Sequence, residues 1–324
     1  MIKKLQYYAS VTLIGSSLLF TGCTANQQDS LFDSVIGLAR DSAGLEVKTA
    51  SANDVTLTYM ERMGKQKNAE SIVLVHGFSA NKDNWIRFTS AIDEKYHVIA
   101  VDLAGHGDSE KRLTTDYGLV KQAERLDALL TNLGIKEFHI AGNSMGGAIS
   151  AIYSVNYPDR VKSLNLIDAA GIDGETPSEY YQALAEGKNP LIATDADSFD
   201  YRMDFTMSQP PMLPWPLHPA FVRKTVARVD INQKIFADMV ATKAQFEKTG
   251  FQQVLQSSMN EHNIPTMIMW GKEDRVLDVS AVAAFKQAIP NATVHIFEDV
   301  GHLPMVEIPS ESAKVYQQFL STIE

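Results

Sequence analysis

Three residue types, in a fixed order along the chain, are equipped for covalent chemistry: a serine between glycines, a late aspartate and a later histidine. Ser144 stands in Gly142-Asn143-Ser144-Met145-Gly146-Gly147, Asp274 in Gly271-Lys272-Glu273-Asp274-Arg275, and His302 in Val300-Gly301-His302-Leu303-Pro304. A serine hydroxyl attacks a carbonyl only when a base near neutral pKa takes its proton. The imidazole, in turn, needs a carboxylate to fix its tautomer and stabilise the imidazolium. Upstream of Ser144, Phe138-His139-Ile140-Ala141 reads as a buried strand, and Ala148 to Tyr153 opens a run with helical spacing. Gly-x-Ser-x-Gly between strand and helix makes a turn too tight for side chains beside the serine. It lifts the hydroxyl above the sheet edge and points a helix N-terminus at the developing oxyanion. His76-Gly77-Phe78 follows another buried strand, so the amides of Phe78 and Met145 are the predicted oxyanion hole.

Rivals exist for two of these roles. Asp168 also ends a strand and is the alternative acid; Asp299 sits on the histidine's own loop and is the weaker candidate. His106, in Asp102-Leu103-Ala104-Gly105-His106-Gly107-Asp108-Ser109, precedes the serine and so falls outside the expected order. His76 reads as structural, holding its loop by a hydrogen bond. No His-Glu-x-x-His or paired-cysteine spacing supports a metal, and the glycines near Ser144 lack the lysine of a phosphate loop. The sequence therefore calls for no cofactor.

Strands and helices alternate around these residues. Buried strands are predicted at 71–76, 97–102, 138–142, 163–168, 265–271 and 292–297, with Val55 to Tyr59 alternating as a further one. Helices are predicted at 119–133, 279–288 and 309–322. This pattern means a doubly wound, mostly parallel α/β sheet. The alternation fails from Gly171 to Ile264, where helical segments flank a run with five prolines between Gln209 and Pro219. Residues 171–264 are read as a helical cap inserted after the strand ending at Asp168, with 51–170 and 265–324 forming the core. Ligands bind beyond the carboxyl ends of such strands, which places the cap over the site. Met203, Met207, Met212 and Trp215 are its candidate acyl-pocket residues, because methionine adapts to flexible chains.

The N-terminus carries an address. Lys3 and Lys4 precede an apolar stretch from Leu5 to Phe20, shorter than the roughly twenty residues of a membrane span. The stretch ends at Gly22-Cys23, and Cys23 is the chain's single cysteine, so no intrachain disulfide is possible. Residues 1–22 resemble a bacterial lipoprotein signal. That resemblance implies a diacylglycerol on Cys23, and Thr24 in the next position implies retention at the outer membrane of the cell envelope. Residues 23–50 would then be a polar tether over 24–30 and a short helix with an apolar face of Leu31, Val35, Leu38 and Ala39. The net charge of −10, with no long basic cluster, argues against nucleic acid as a partner. Oligomeric state is not legible.

Together the serine elbow, His76-Gly77-Phe78, the glycine-rich loop after Asp102 and the Gly301-His302 pair resemble the α/β-hydrolases. The longer run from His76 to Trp85, His-Gly-Phe-Ser-Ala-Asn-Lys-Asp-Asn-Trp, resembles the cold-adapted bacterial lipases of family V and the membrane-anchored monoacylglycerol lipases. The resemblance spans roughly residues 50–322 and implies a serine hydrolase of acylglycerols or other acyl esters. Two other readings stay open: a carbon–carbon bond hydrolase of ring-cleavage diketones, which carries the same Gly-Asn-Ser-Met-Gly-Gly run, and a ligand-binding relative without activity.

Overall fold

The computed structural model describes residues 22–323; the expected signal segment through Thr21 lies outside them. Eight strands form one sheet: β1 (Glu46–Ala52), β2 (Val55–Arg62), β3 (Ser71–Val75), β4 (His97–Val101), β5 (Phe138–Asn143), β6 (Val161–Ile167), β7 (Thr266–Gly271) and β8 (Thr293–Phe297). Their order is β1-β2-β4-β3-β5-β6-β7-β8, with β1, β2 and β4 paired antiparallel and the remaining pairs parallel. β3, β4 and β5 are buried along their whole length, as expected of central parallel strands covered on both faces. Alternate residues serve opposite faces: Val73 and Val75 join one core cluster, Ile72 and Leu74 the other.

Two strand expectations are corrected. β8 is exposed except at half-buried His295 and buried Phe297, because it is the outer strand and has β7 as its one neighbour. β1 carries the polar, half-exposed sequence Glu-Val-Lys-Thr-Ala-Ser-Ala, lies within the segment read as tether and helix, and pairs residue for residue with β2.

The helices follow in chain order. α1 (Ala25–Ser42) begins six residues before the predicted apolar face, so residues 25–30 are helix and not tether. A capping box starts it: Thr24 Oγ1 accepts from Gln27 N–H, and Gln27 Oε1 accepts from Thr24 N–H at 2.9 Å. The face it packs is Phe32, Ile36 and Ala39, whereas Leu31, Val35 and Leu38 are exposed. α2 (Ile86–Ala91), α3 (Leu119–Asn132) and α4 (Met145–Asn156) come next. Between β6 and β7, where one crossover helix is enough, the chain places five: α5 (Glu179–Ala185), α6 (Ala196–Thr206), α7 (Leu217–Val226), α8 (Val229–Thr249) and α9 (Phe251–His262). α10 (Ala281–Ala288), α11 (Pro304–Glu307) and α12 (Pro309–Leu320) complete the chain. α1 lies against α7, where Arg223 bonds Ala25 O, Gln28 Oε1 and Asp29, and Lys224 pairs with Asp33.

Candidate active site

Ser144 joins β5 to α4 with φ 56° and ψ −122°, a backbone conformation that L-residues rarely adopt. The strain is held by its surroundings. A Cβ at Gly142 would come within 2.2 Å of Gly146 O, and one at Gly146 within 2.3 Å of Val75 O. Ser144 N–H donates to Ile167 O and Asp168 O, at 3.0 and 3.1 Å, which clamps the turn to the end of β6.

The carboxyl ends of β7 and β8 supply the partners. His302 Nδ1 lies 2.7 Å from Asp274 Oδ2, with both side chains buried. Asp274 Oδ1 accepts from the N–H groups of Val276 and Leu277 at 2.7 and 3.0 Å. Three partners on one carboxylate fix its position, and the contact at Nδ1 leaves His302 Nε2 as the acceptor nitrogen. The His302 loop is fixed twice more, by His302 N–H to Thr206 O at 2.9 Å and by Asn143 Nδ2 to His302 O at 3.0 Å. Asn143 also donates to Ile167 O, so the residue before the serine ties the elbow to the histidine loop. The sequence showed Asn143 only as part of the elbow motif; its partner is 159 positions away.

Asp168 is close to this group, its carboxylate within 4.8 Å of the Asp274 and His302 ligand atoms. Its hydrogen bonding is different. Oδ1 accepts from Gly271 N–H at 2.8 Å, and Oδ2 has no partner. Burial, followed by the neighbouring Asp274 charge, pushes its carboxyl well above the usual carboxylate range. The carboxylate on His302 is therefore that of Asp274. Asp299, with φ 58°, makes no bond to the imidazole.

On the other side of Ser144, a Cβ at Gly77 would lie 3.0 Å from the serine Cβ, so the loop after β3 approaches the serine as closely as glycine permits. The Phe78 amide meets no acceptor among the described residues. Met145 is the first residue of α4, where N–H groups have no intrahelical acceptor. His76 Nδ1 lies 2.7 Å from Gly77 O and its Nε2 accepts from Leu103 N–H at 3.1 Å, a neutral tautomer that fastens this loop to the neighbouring one. Burial pushes its pKa down to about 4. His106 is likewise buried and held neutral, well below the ordinary range.

A cavity of about 440 Å³ opens from Ser144, within the size range of small-molecule sites. Its lining is largely apolar, drawing on Phe78 and Met145 beside the serine and on Leu184, Phe236, Met239 and Phe251 from the five-helix segment. At its rim Lys243 Nζ bonds Asp173 and the Tyr181 hydroxyl, at 2.8 and 2.9 Å. The four residues expected to line an acyl pocket are not there. Met212 and Trp215 are 88% and 49% exposed on the proline-rich stretch, and Met207 is buried where α6 ends against the His302 loop. Met203, on α6, is half-buried outside the cavity lining. Within the segment between β6 and β7, the lining is drawn mainly from α5, α8 and the start of α9.

Residues 70–309 match the family described as alpha/beta hydrolase fold. The chain belongs to that family. Lipase 1 of Psychrobacter immobilis is 34% identical over 317 residues, covering 95% of each chain. The mouse monoacylglycerol lipase ABHD6 is 29% identical, covering 88% of this chain and 85% of its own. Among solved structures, a membrane phospholipase A described as a bacterial virulence factor superposes with a TM-score of 0.83 at 36% identity, covering 91% of this chain and 92% of that one. A 2-hydroxy-6-oxo-6-phenylhexa-2,4-dienoate hydrolase from Rhodococcus, at 20% identity and TM-score 0.70, shares the fold.

Proposed function

We propose that this chain, a carboxylic ester hydrolase, cleaves acylglycerols through an acyl-enzyme formed on Ser144. The observation that carries the reading is the bond from His302 Nδ1 to Asp274, made beside a strained serine at the mouth of an apolar cavity. Ser144 Oγ attacks the ester carbonyl while His302 Nε2 takes its proton. The amides of Phe78 and Met145 receive the oxyanion. His302 then returns the proton to the leaving alcohol, and water, deprotonated by the same nitrogen, releases the fatty acid. Asp274 keeps His302 oriented throughout. The acyl chain occupies the cavity, whose lining offers van der Waals contact and few groups to bond. In this reading the helices from Glu179 to His262 act as the cap that closes over it.

Relatives that hydrolyse lipids support esters over ring-cleavage diketones, since the diketone hydrolases resemble this chain in fold alone. The direct test is a series of glycerol esters and nitrophenyl esters from two to eighteen carbons, assayed with the wild type and Ser144→Ala. Turnover of the medium-chain monoacylglycerols, abolished in the variant, supports the reading. Turnover restricted to ring-cleavage diketones would replace it, and absence of any turnover would favour the ligand-binding relative.

Membrane association is suggested by the membrane phospholipase and the lipase relatives. No helix among the described residues is long and apolar enough to cross a membrane. We propose that Cys23, one residue before the α1 cap, carries a diacylglycerol and anchors the enzyme in the outer membrane of the bacterial envelope. Cys23→Ser should move the protein out of the membrane fraction and abolish labelling by a fatty-acid analogue. Equal labelling of both forms would remove the anchor.

A further inference from the structure

The two ends of the cavity differ in chemistry. At the serine end the wall is apolar: the rings of Phe78 and Phe236 lie with centroids 5.9 Å apart, beside Met145. α8 then runs along the cavity. The residues it lends to the lining, Phe236, Met239, Val240 and Lys243, recur at the spacing of one helical face. Lys243 is two turns beyond Phe236, about 10 Å further along the helix axis. There the lining changes from hydrocarbon to charge.

Three elements meet at that point. Lys243 Nζ, from α8, donates to Asp173 Oδ2 at 2.8 Å and to the Tyr181 hydroxyl at 2.9 Å. That hydroxyl, from α5, donates in turn to Asp173 Oδ1 at 2.9 Å, on the loop that follows β6. The ring of bonds is closed, so each group fixes the other two. An ion pair whose side chains are 35% and 49% exposed contributes little to stability, so its position matters more than its strength. Behind it lies a second cavity, of about 170 Å³. Ile172, Asp173, Tyr181 and Leu277 line both cavities, which are therefore neighbours separated by these side chains. Tyr181 is the largest of the four, and its hydroxyl is the one tied to both Asp173 and Lys243.

An extended acyl chain advances about 1.2 Å per carbon–carbon bond, a third of the reach of one residue. Roughly eight to ten carbons therefore cover the distance from the level of Phe236 to that of Lys243. A longer chain meets the bonded groups. To pass, it must strip water from a charged pair without offering a hydrogen bond in return, or push Tyr181 off its two partners.

We infer that Asp173, Tyr181 and Lys243 form a partition that ends the acyl cavity and sets the chain length the enzyme accepts, the smaller cavity being the space a longer chain would take if the partition opened. The inference rests on the ester-hydrolase reading and adds to it the residues that select the acyl group.

The test measures kcat/KM for 1-octanoylglycerol and 1-palmitoylglycerol, dispersed in the same detergent micelles, with nitrophenyl butyrate as a separate report on the serine. The wild type should turn over the palmitoyl ester about tenfold less efficiently than the octanoyl ester. Tyr181→Ala removes the largest side chain of the partition, and Lys243→Met replaces its charge by a hydrocarbon of similar length. Each should raise the palmitoyl-to-octanoyl ratio about tenfold, mainly through KM. An equal change for both esters would overturn the partition and leave the three groups as a staple between α5, α8 and the loop after β6. A wild type that turns over both esters equally well would overturn it too. A variant that loses nitrophenyl butyrate turnover, whose acyl group stops short of Lys243, has lost its fold, and the other variant then decides. If the wild type turns over neither nitrophenyl butyrate nor the glycerol esters, the ester-hydrolase reading itself has failed and the partition falls with it.

Discussion

The carboxyl ends of β6 and β7 are adjacent in the sheet and each presents a buried aspartate, yet the two acids are bonded very differently. Asp274 is surrounded by donors: two backbone N–H groups on one oxygen and His302 on the other. Asp168 has one N–H on one oxygen and nothing on the other, with a negative neighbour. At Asp168 burial, with the neighbouring Asp274 charge, favours the protonated form, and a single N–H group does not offset it. A turn that folds back on itself, as Asp274-Arg275-Val276-Leu277 does, supplies two such groups; a strand end with φ 43°, as at Asp168, does not.

The comparison can be broken by substitution. Ser144→Ala sets the floor, with kcat lowered about 10⁶-fold because the triad acts as a unit. A fluorophosphonate probe should fail to label that variant, and persistent labelling would point to another nucleophile. Asp274→Asn should lower kcat about 10⁴-fold by leaving His302 in the wrong tautomer. Asp168→Asn should leave kcat within about threefold, since an amide still accepts from Gly271 N–H and asparagine tolerates a left-handed backbone. A reversed order of severity in steady-state kinetics would transfer the acid's role to Asp168.

Stability should separate the strand ends as well. His76, at the end of β3, is neutral in the fold with its pKa pushed down to about 4 by burial, against 6.5 when exposed. Its contribution is complete above pH 6.5 and is lost as pH falls toward 4, in total about 3 kcal/mol. Urea midpoints across that window should fall more steeply for the wild type than for a His76→Gln variant that still folds. Asp168 has the opposite sign. Its pKa is raised in the fold, so its contribution is present below the unfolded value of 3.8 and is lost as pH rises from there. Asp168→Asn should therefore gain Tm relative to the wild type between pH 4 and pH 7, by about 2–4 °C per kcal/mol. A constant difference across that range would show that the Asp168 carboxyl is not raised in the fold.

Much of this site was legible because its chemistry is local. The elbow needs small residues at fixed offsets, and each partner follows a strand whose apolar run is visible by itself. The sequence pointed to Asp274 with Asp168 as its rival; the N–H groups that distinguish the two are a matter of turn geometry, which the sequence does not display. The cavity lining was misread for a related reason. Phe236, Met239 and Phe251 carry the helical spacing of any packed helix, and only the placement of α8 and α9 relative to Ser144 distinguishes them from Met203 or Met207. β1 and the first turns of α1 were missed because both are polar: one is held by its ladder with β2, the other by a capping box.

The docking of α1 leaves a short leash. Arg223 grips Ala25, Gln28 and Asp29 against α7, so the chain is already fastened to the body two residues after Cys23. With at most about 3.6 Å of reach per residue, whatever is attached to that thiol lies within about 10 Å of the protein surface. A membrane held there would not be patrolled by a swinging domain. It would sit as a fixed floor close to α1, whose Leu31 and Val35 side chains are exposed.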